Sequence, residues 1–293
     1  EEDPAAADIE LFRMYLLIGN SVFEDKNDYE QLKQLYNIYC QIGGYPAVVE
    51  KYLSSGSLEI ATKELRRIIE TFLNESMRYF TDILDVSVFA DIFLNISRIL
   101  AREKKGLEQD SIGEELQKLV VKDSTSNISK ATVVRAINWL YHSGIIGFCG
   151  KIVELDILDF KPGRRCYFMD LGIANFYMTQ AGLDKASING TLNENYVYIN
   201  LAKRLDFPQQ IAFETPAFAT YKNGEIDFYV QSLKERTRYV IEVKSGKQSG
   251  NTAKKALFDG KADYLLYLKG NTHGGVEGKI ITRPIYTLER FHF

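Results

Sequence analysis

The sequence predicts a multidomain α+β protein: a helical region over residues 1–105, a helix–loop–helix–hairpin unit over 106–160 and an α/β domain over 161–293. Three observations carry this. Apolar residues in the first third recur at helical spacing, as in Leu11, Met14, Tyr15 and Ile18 and again in Leu32, Leu35, Tyr36 and Tyr39. The middle places a polar loop, Ser124 to Ser129, between two short helical patterns. Beyond residue 160, β-rich segments alternate with helical ones. With 293 residues, 45% of them apolar, the chain is long and apolar enough for two or three globular domains.

In the helical region, Gly43-Gly44-Tyr45-Pro46 and Ser54-Ser55-Gly56-Ser57 break the pattern as turns. Helices follow from Glu59 to Arg78 and from Val88 to Leu100. In the middle unit, a short helix from Ile112 to Leu119 precedes the polar loop, and Ser129 reads as the N-cap of a helix from Lys130 to Tyr141. Gly144 stops that helix. Ile145 to Phe148 and Ile152 to Leu155 then read as a hairpin turning at Gly150-Lys151. This order is that of a winged helix. Lys130 and Arg135 on its second helix are either phosphate contacts or ordinary surface cations.

The α/β domain opens with a strand from Arg165 to Asp170, followed by helices from Leu171 to Met178 and from Leu192 to Lys203. Asn223-Gly224 is a two-residue turn signal between Phe218–Tyr221 and Ile226–Tyr229. A strand at Tyr239 to Lys244, a helix from Thr252 to Phe258, a strand from Tyr264 to Leu268 and a last strand near Ile285 to Leu288 complete it.

Net charge near -3 points to no particular partner, so a nucleic-acid surface would have to be a local basic patch. Cys40, Cys149 and Cys166 are far apart, form no CxxC, and stand beside only three histidines, which argues against structural zinc. Reduced thiols fit a cytoplasmic protein. No secretory signal and no membrane-spanning apolar run is legible, so no membrane partner is expected.

The chemistry concentrates in two neighbouring predicted strands, Gly224 to Val230 and Tyr239 to Lys244. Alternation along a strand places Glu242 and Lys244 on one side, and likewise Glu225 and Asp227. Side-by-side pairing would gather Asp227, Glu242 and Lys244, a set suited to a hard divalent cation and a scissile phosphate. Val240, Ile241 and Val243 make the second strand look central, and charge on a central strand needs a reason: a metal site or an internal salt bridge. Glu194 lies in line with Val197, Tyr198 and Leu201. It is either an inward carboxylate needing a cation or a first-turn acid favoured by the helix dipole.

These residues resemble the PD-(D/E)xK nuclease superfamily, the fold of many restriction and repair nucleases. Glu194 corresponds to its helix acid, Asp227 to its metal-binding aspartate, and Glu242 and Lys244 to its E-x-K. The proline before the aspartate is absent; Glu225-Ile226 stands there. More widely, Gly43-Gly44-Tyr45-Pro46, Tyr167 to Gly172, Glu194-Asn195, Glu225 to Phe228 and Glu242 to Lys247 look like the C-terminal half of a large bacterial and archaeal family. There an AAA+ ATPase module comes first, and a nuclease-like domain of uncharacterised function ends the chain. No G-x-x-x-x-G-K-[ST] phosphate loop occurs here, so the chain is either a fragment without that module or a homologue lacking it; its start at Glu1 favours the fragment.

The resemblance implies a Mg²⁺- or Mn²⁺-dependent DNA endonuclease-like domain. Asp227, Glu242 and Glu194 would hold metal, with the Val243 carbonyl as a further ligand, and Lys244 would orient water or stabilise the transition state. Lys247, Lys254, Lys255 and Lys261 are either a backbone-binding cluster or a solvated helix face. The alternative function is a non-catalytic DNA- or protein-binding module that regulates the ATPase.

Overall fold

A computed structural model describes residues 26–79, 87–102, 118, 129–205, 215–232, 236–244, 250–291 and 293. The expected helices at Leu11 to Ile18 and Ile112 to Leu119, and the loop from Ser124, fall outside these residues, Lys118 and Ser129 excepted.

Among the described residues four helices come first: α1 (Lys26–Ile42), α2 (Pro46–Ser55), α3 (Leu58–Tyr79) and α4 (Ser87–Arg102). Both expected turns separate them. Pro46 opens α2, where its missing N–H costs nothing, and Gly56 closes it at φ 64°, a left-handed conformation that favours glycine. Helix α5 (Lys130–His142) follows, with the Ser129 hydroxyl accepting the Thr132 N–H at 3.1 Å.

The remainder builds one mixed sheet of eight strands: β1 (Ile146–Ile152), β2 (Phe160–Phe168), β3 (Ala217–Tyr221), β4 (Gly224–Gln231), β5 (Arg238–Lys244), β6 (Tyr264–Lys269), β7 (Gly275–Glu277) and β8 (Ile280–Pro284). The order across it is β2-β1-β3-β4-β5-β6-β8-β7. Helices α6 (Leu171–Gln180), α7 (Lys185–Leu205) and α8 (Asn251–Phe258) complete the described elements with two short 3₁₀ turns. The molecule is thus α+β, as expected. Strand β1, from the middle region, pairs in parallel with β3, so one sheet runs across residue 160.

The sheet separates two apolar cores. The larger holds Phe93, Tyr196, Val197, Leu201, Phe228, Ile241 and Val243, which places α7 and the N-terminal helices on one face. The smaller holds Ile226, Tyr229, Val240, Leu265 and Tyr267 with Ala253, Ala256 and Leu257 of α8 on the other.

Four expectations are corrected. No turn occurs at Gly150-Lys151: β1 runs straight through them and returns as β2 only after a 3₁₀ turn at Val153–Leu155. Gly150 instead sits at a register shift where a side chain would strike the Phe160 ring, so it marks close approach rather than reversal. The β3–β4 turn is centred one residue earlier than Asn223-Gly224. Lys222 and Asn223 carry the positive φ angles, 46° and 61°, and Tyr221 pairs with Gly224. Gly224 belongs to the ladder, where Thr252 of α8 packs against it.

Helix α7 begins at Lys185, not near Leu192, because Asp184 caps it by accepting the N–H groups of Ala186 (2.9 Å) and Ser187 (3.0 Å). The segment from Ile285 is a 3₁₀ turn, Ile285–Arg290, rather than a strand. The last parallel strand is β8, ending at Pro284, and buried Arg204 of α7 holds the turn by donating to the Leu288 and Phe291 carbonyls, both at 2.6 Å.

Candidate functional site

Strands β4 and β5 pair antiparallel, with Phe228 opposite Ile241 and Tyr229 opposite Val240. Extending that register sets Asp227 across from Glu242. Against β3, however, Ala217 pairs with Tyr229 and Ala219 with Ile226, so Phe218 alone faces both Asp227 and Phe228. This is a β-bulge at Asp227. It lets Ile226 and Asp227 both turn to the α8 face, which unbroken alternation forbids. The bulge also corrects the expectation that Glu225 shares a side with Asp227. Glu225 meets Arg165 at 2.6 Å, and that guanidinium lies over the Phe218 ring, 3.8 Å from its centroid.

Asp227, Glu242 and Lys244 do converge. The Lys244 Nζ lies 2.7 Å from Glu242 Oε2 and 3.3 Å from Asp227 Oδ2. Asp227 Oδ2 also accepts the Val243 backbone N–H at 2.7 Å, which fixes its carboxylate against β5. Glu242 is 2% exposed. Burial, then the nearby Asp227 charge, pushes its carboxyl up to about 7, with Lys244 pulling the other way. Burial alone would lower the Lys244 ammonium, but the two carboxylates outweigh it and hold it above the usual lysine range.

One neighbour was not singled out from sequence. Gly250, the N-cap of α8, lies so close to Glu242 that a side chain there would overlap its carboxylate. The Tyr267 hydroxyl donates to the Gly250 carbonyl at 3.4 Å. The available signal was a glycine just ahead of a helix, a common pattern that says nothing of a distant strand.

Glu194 sits in the interior of α7, so the first-turn explanation for it falls with the earlier helix start. From Thr191 to Leu201 every other residue of that helix is buried, and Glu194 is half-buried. Its helix packs on the face opposite to Asp227 and Glu242. Its neighbour Asn195 accepts the Phe168 N–H at 3.0 Å and donates to the Phe168 carbonyl at 2.8 Å, pinning α7 to the end of β2. Lys254 is half-buried on α8, Lys255 and Lys261 are exposed, and Arg135 is exposed on α5. Lys247 and the Lys130 side chain lie outside the described residues.

A divalent cation fits this donor set chemically. Two carboxylates in mutual repulsion, one of them buried, are stabilised by added positive charge, and Mg²⁺ commonly takes one or two carboxylates with water and phosphate oxygens as its other ligands. Among the described residues no group of three His, Cys, Asp or Glu side chains gathers for a metal, so their contribution here is a pair.

Fold and site together define an α+β protein with two coupled carboxylates and a shared lysine on a central strand pair. The chain belongs to the family described as Domain of unknown function (DUF8612), whose model matches residues 33–186, just over half of it. The matched span runs from α1 into the start of α7 and ends before β4 and β5. No curated protein and no solved structure matches the chain. No helix among the described residues is long and apolar enough to cross a membrane.

Proposed function

We propose that the chain is a metal-dependent phosphodiesterase acting on DNA, with its β-sheet half a PD-(D/E)xK-type nuclease domain. The observation that supports this most is the position of Lys244, bonded at once to Glu242 and Asp227 on a central strand pair. A salt bridge needs one acid; the second leaves a surplus negative charge suited to a cation. Asp227 and Glu242 would hold Mg²⁺ or Mn²⁺, with the Val243 carbonyl as a further ligand; Glu194, the third acid expected from sequence, stands on a helix packed against the other face of the sheet and is not part of this set.

When bound, the ion would supply Lewis-acid stabilisation of charge on the phosphate. Asp227, steadied by the Val243 N–H, keeps the paired acid in place. Lys244 would donate to the attacking water or to a phosphate oxygen. The helix α5 with strands β1 and β2 would serve as a winged-helix-like unit, Lys130 and Arg135 meeting phosphates. Lys247, Lys254 and Lys255 would meet the nucleic-acid backbone near the site. An AAA+ ATPase module is the partner the wider resemblance implies, and the cytoplasm the compartment.

The test is incubation of supercoiled plasmid and single-stranded DNA with Mn²⁺ or Mg²⁺, beside Asp227→Ala. Cleavage by the wild type that the variant loses supports the reading. Wild-type protein that binds DNA in a salt-dependent way without cutting it supports the regulatory module instead. Cutting that survives Asp227→Ala assigns the activity elsewhere.

A further inference from the structure

A groove of about 800 Å³ opens between α1, α6 and α7, on the sheet face away from Glu242. Its size is that of a ligand site. Its lining is unusual for a chain of net charge -3: none of the lining residues is acidic, while Lys33 and Lys185 supply two cations. Amide side chains dominate the rest, including Asn37, Gln41, Asn175 and Asn189. Leu183, Ile188 and Leu192 give the floor apolar surface.

Much of this polar capacity is unspent. Among the described residues the side chains of Asn37 and Asn189 make no hydrogen bond. Lys33 is held loosely, 3.4 Å from Asn271 Oδ1 and 4.0 Å from Glu30. Amides present donor and acceptor side by side, the complement of a nucleobase edge. Two lysines suit a phosphate, and an aliphatic floor can carry a base's face.

The groove also ends in the right place. Gly270 and Asn271 form part of its wall and directly follow β6. The Gly270 N–H donates to the Lys244 carbonyl at 3.3 Å, so the groove wall and the candidate site share the carboxyl ends of β5 and β6. Ligands of open α/β sheets collect at such ends.

The geometry points to a nucleotide-binding groove that holds a single-stranded segment of the nucleic acid presented to Asp227, Glu242 and Lys244. Lys33 and Lys185 take its phosphates, and the amides of Asn37, Gln41, Asn175 and Asn189 take base edges. The choice of a strand rests on the phosphodiesterase reading, whereas the groove residues are separate from that site.

The experiment measures fluorescence anisotropy of a labelled fifteen-base single strand without metal, with competition by unlabelled duplex and by mononucleotides. The full chain is compared with Lys33→Gln/Lys185→Gln, Asn37→Leu/Asn189→Leu and Lys63→Gln, a lysine exposed on α3 outside both the groove and the carboxylate site. The lysine pair should weaken strand binding and flatten the log–log salt dependence by about 1.4, since each phosphate contact on a single strand contributes roughly 0.7. The amide pair should weaken binding with the salt slope unchanged, and Lys63→Gln should bind as the wild type does.

A single strand that outcompetes mononucleotides identifies the strand as the source of the nucleotide. Equal competition identifies free nucleotide and retains the groove. Absence of both kinds of binding, or groove variants that bind like wild type, overturns the assignment. Groove-dependent binding without any metal-dependent cutting sinks the nuclease reading alone.

Discussion

The carboxylate of Asp170 accepts the backbone N–H of Gly44 at 2.8 Å, joining residues 126 apart in sequence. The same side chain caps α6 by accepting the Ile173 N–H at 3.0 Å. Around it the chain comes so close that a methyl on Gly43 would overlap the Asp170 carboxylate, and one on Gly172 would overlap the Ile42 carbonyl. Two sequence motifs, Gly43-Gly44-Tyr45-Pro46 and Asp170-Leu171-Gly172, are therefore halves of one lock. Both lie inside the span matched by the family model, and the lock docks the N-terminal helices onto the sheet half.

Asp170→Ala should destabilise the fold by about 2 kcal/mol or more, the sum in kind of a lost N-cap and a buried N–H left without a partner. Gly43→Ala should cost a comparable amount, because φ is 75° there and the methyl has no room. Urea unfolding measures both. A change below about 0.5 kcal/mol in either variant would show that the lock contributes little.

Glu242 makes stability depend on pH in a predictable direction. Its folded carboxyl is raised from an ordinary 4.5 to about 7 by burial and then by Asp227. The native state thus binds the proton more tightly than the unfolded chain. The stabilisation this gives is complete below pH 4.5 and is lost as pH rises through about 7. Glu242→Gln should therefore gain on the wild type between pH 5 and pH 8, by on the order of 3 kcal/mol without metal. A stability difference that stays flat across that range contradicts the assignment. Mg²⁺ or Mn²⁺ competes with the same proton, so its affinity for the wild type should rise over the same interval.

Lys244→Met removes the cation that two acids share. The metal-free variant should lose about 2 kcal/mol, since buried Glu242 is left facing Asp227 without compensation. Its thermal upshift on adding Mn²⁺ should exceed that of the wild type, because the ion replaces a lost charge instead of displacing a present one. Cleavage should fall at least about 100-fold. An unaltered Mn²⁺ shift would mean that the metal binds elsewhere.

Gly250→Ala tests the site without altering any ionisable group. The methyl would meet the Glu242 carboxylate, forcing it or the start of α8 to move. Metal affinity, read by calorimetry, should weaken about tenfold while global stability falls by only about 1–2 kcal/mol. Unchanged affinity would show that Glu242 is free to shift and is not a fixed ligand.

Residues local in their effect were legible from the start. Ser129 marks the start of α5 by what its hydroxyl offers the first turn, and Gly43-Gly44-Tyr45-Pro46 and Ser54-Ser55-Gly56-Ser57 mark the breaks on either side of α2. The convergence of Asp227, Glu242 and Lys244 was likewise readable, because alternation and a short hairpin leave few ways to pair two neighbouring strands. Glycines misled. Gly150 and Gly224 looked like turn residues, yet each is needed because Phe160 or Thr252, distant in sequence, packs against it. The same small side chain serves a reversal and a close approach, and only the partner tells them apart.

The sequence by itself determined the α+β class, the start of α5 at its Ser129 cap and the identity of the three charged groups on β4 and β5. Those depend on periodicity and on atoms within a turn of each other. Tertiary structure decided the bulge that swings Asp227 toward α8, the face occupied by Glu194, the closeness of Gly250 to Glu242 and the amide-lined groove beyond Gly270. Each of these arises from strands and helices far apart in the chain meeting at one register, and no local pattern records which residues will meet.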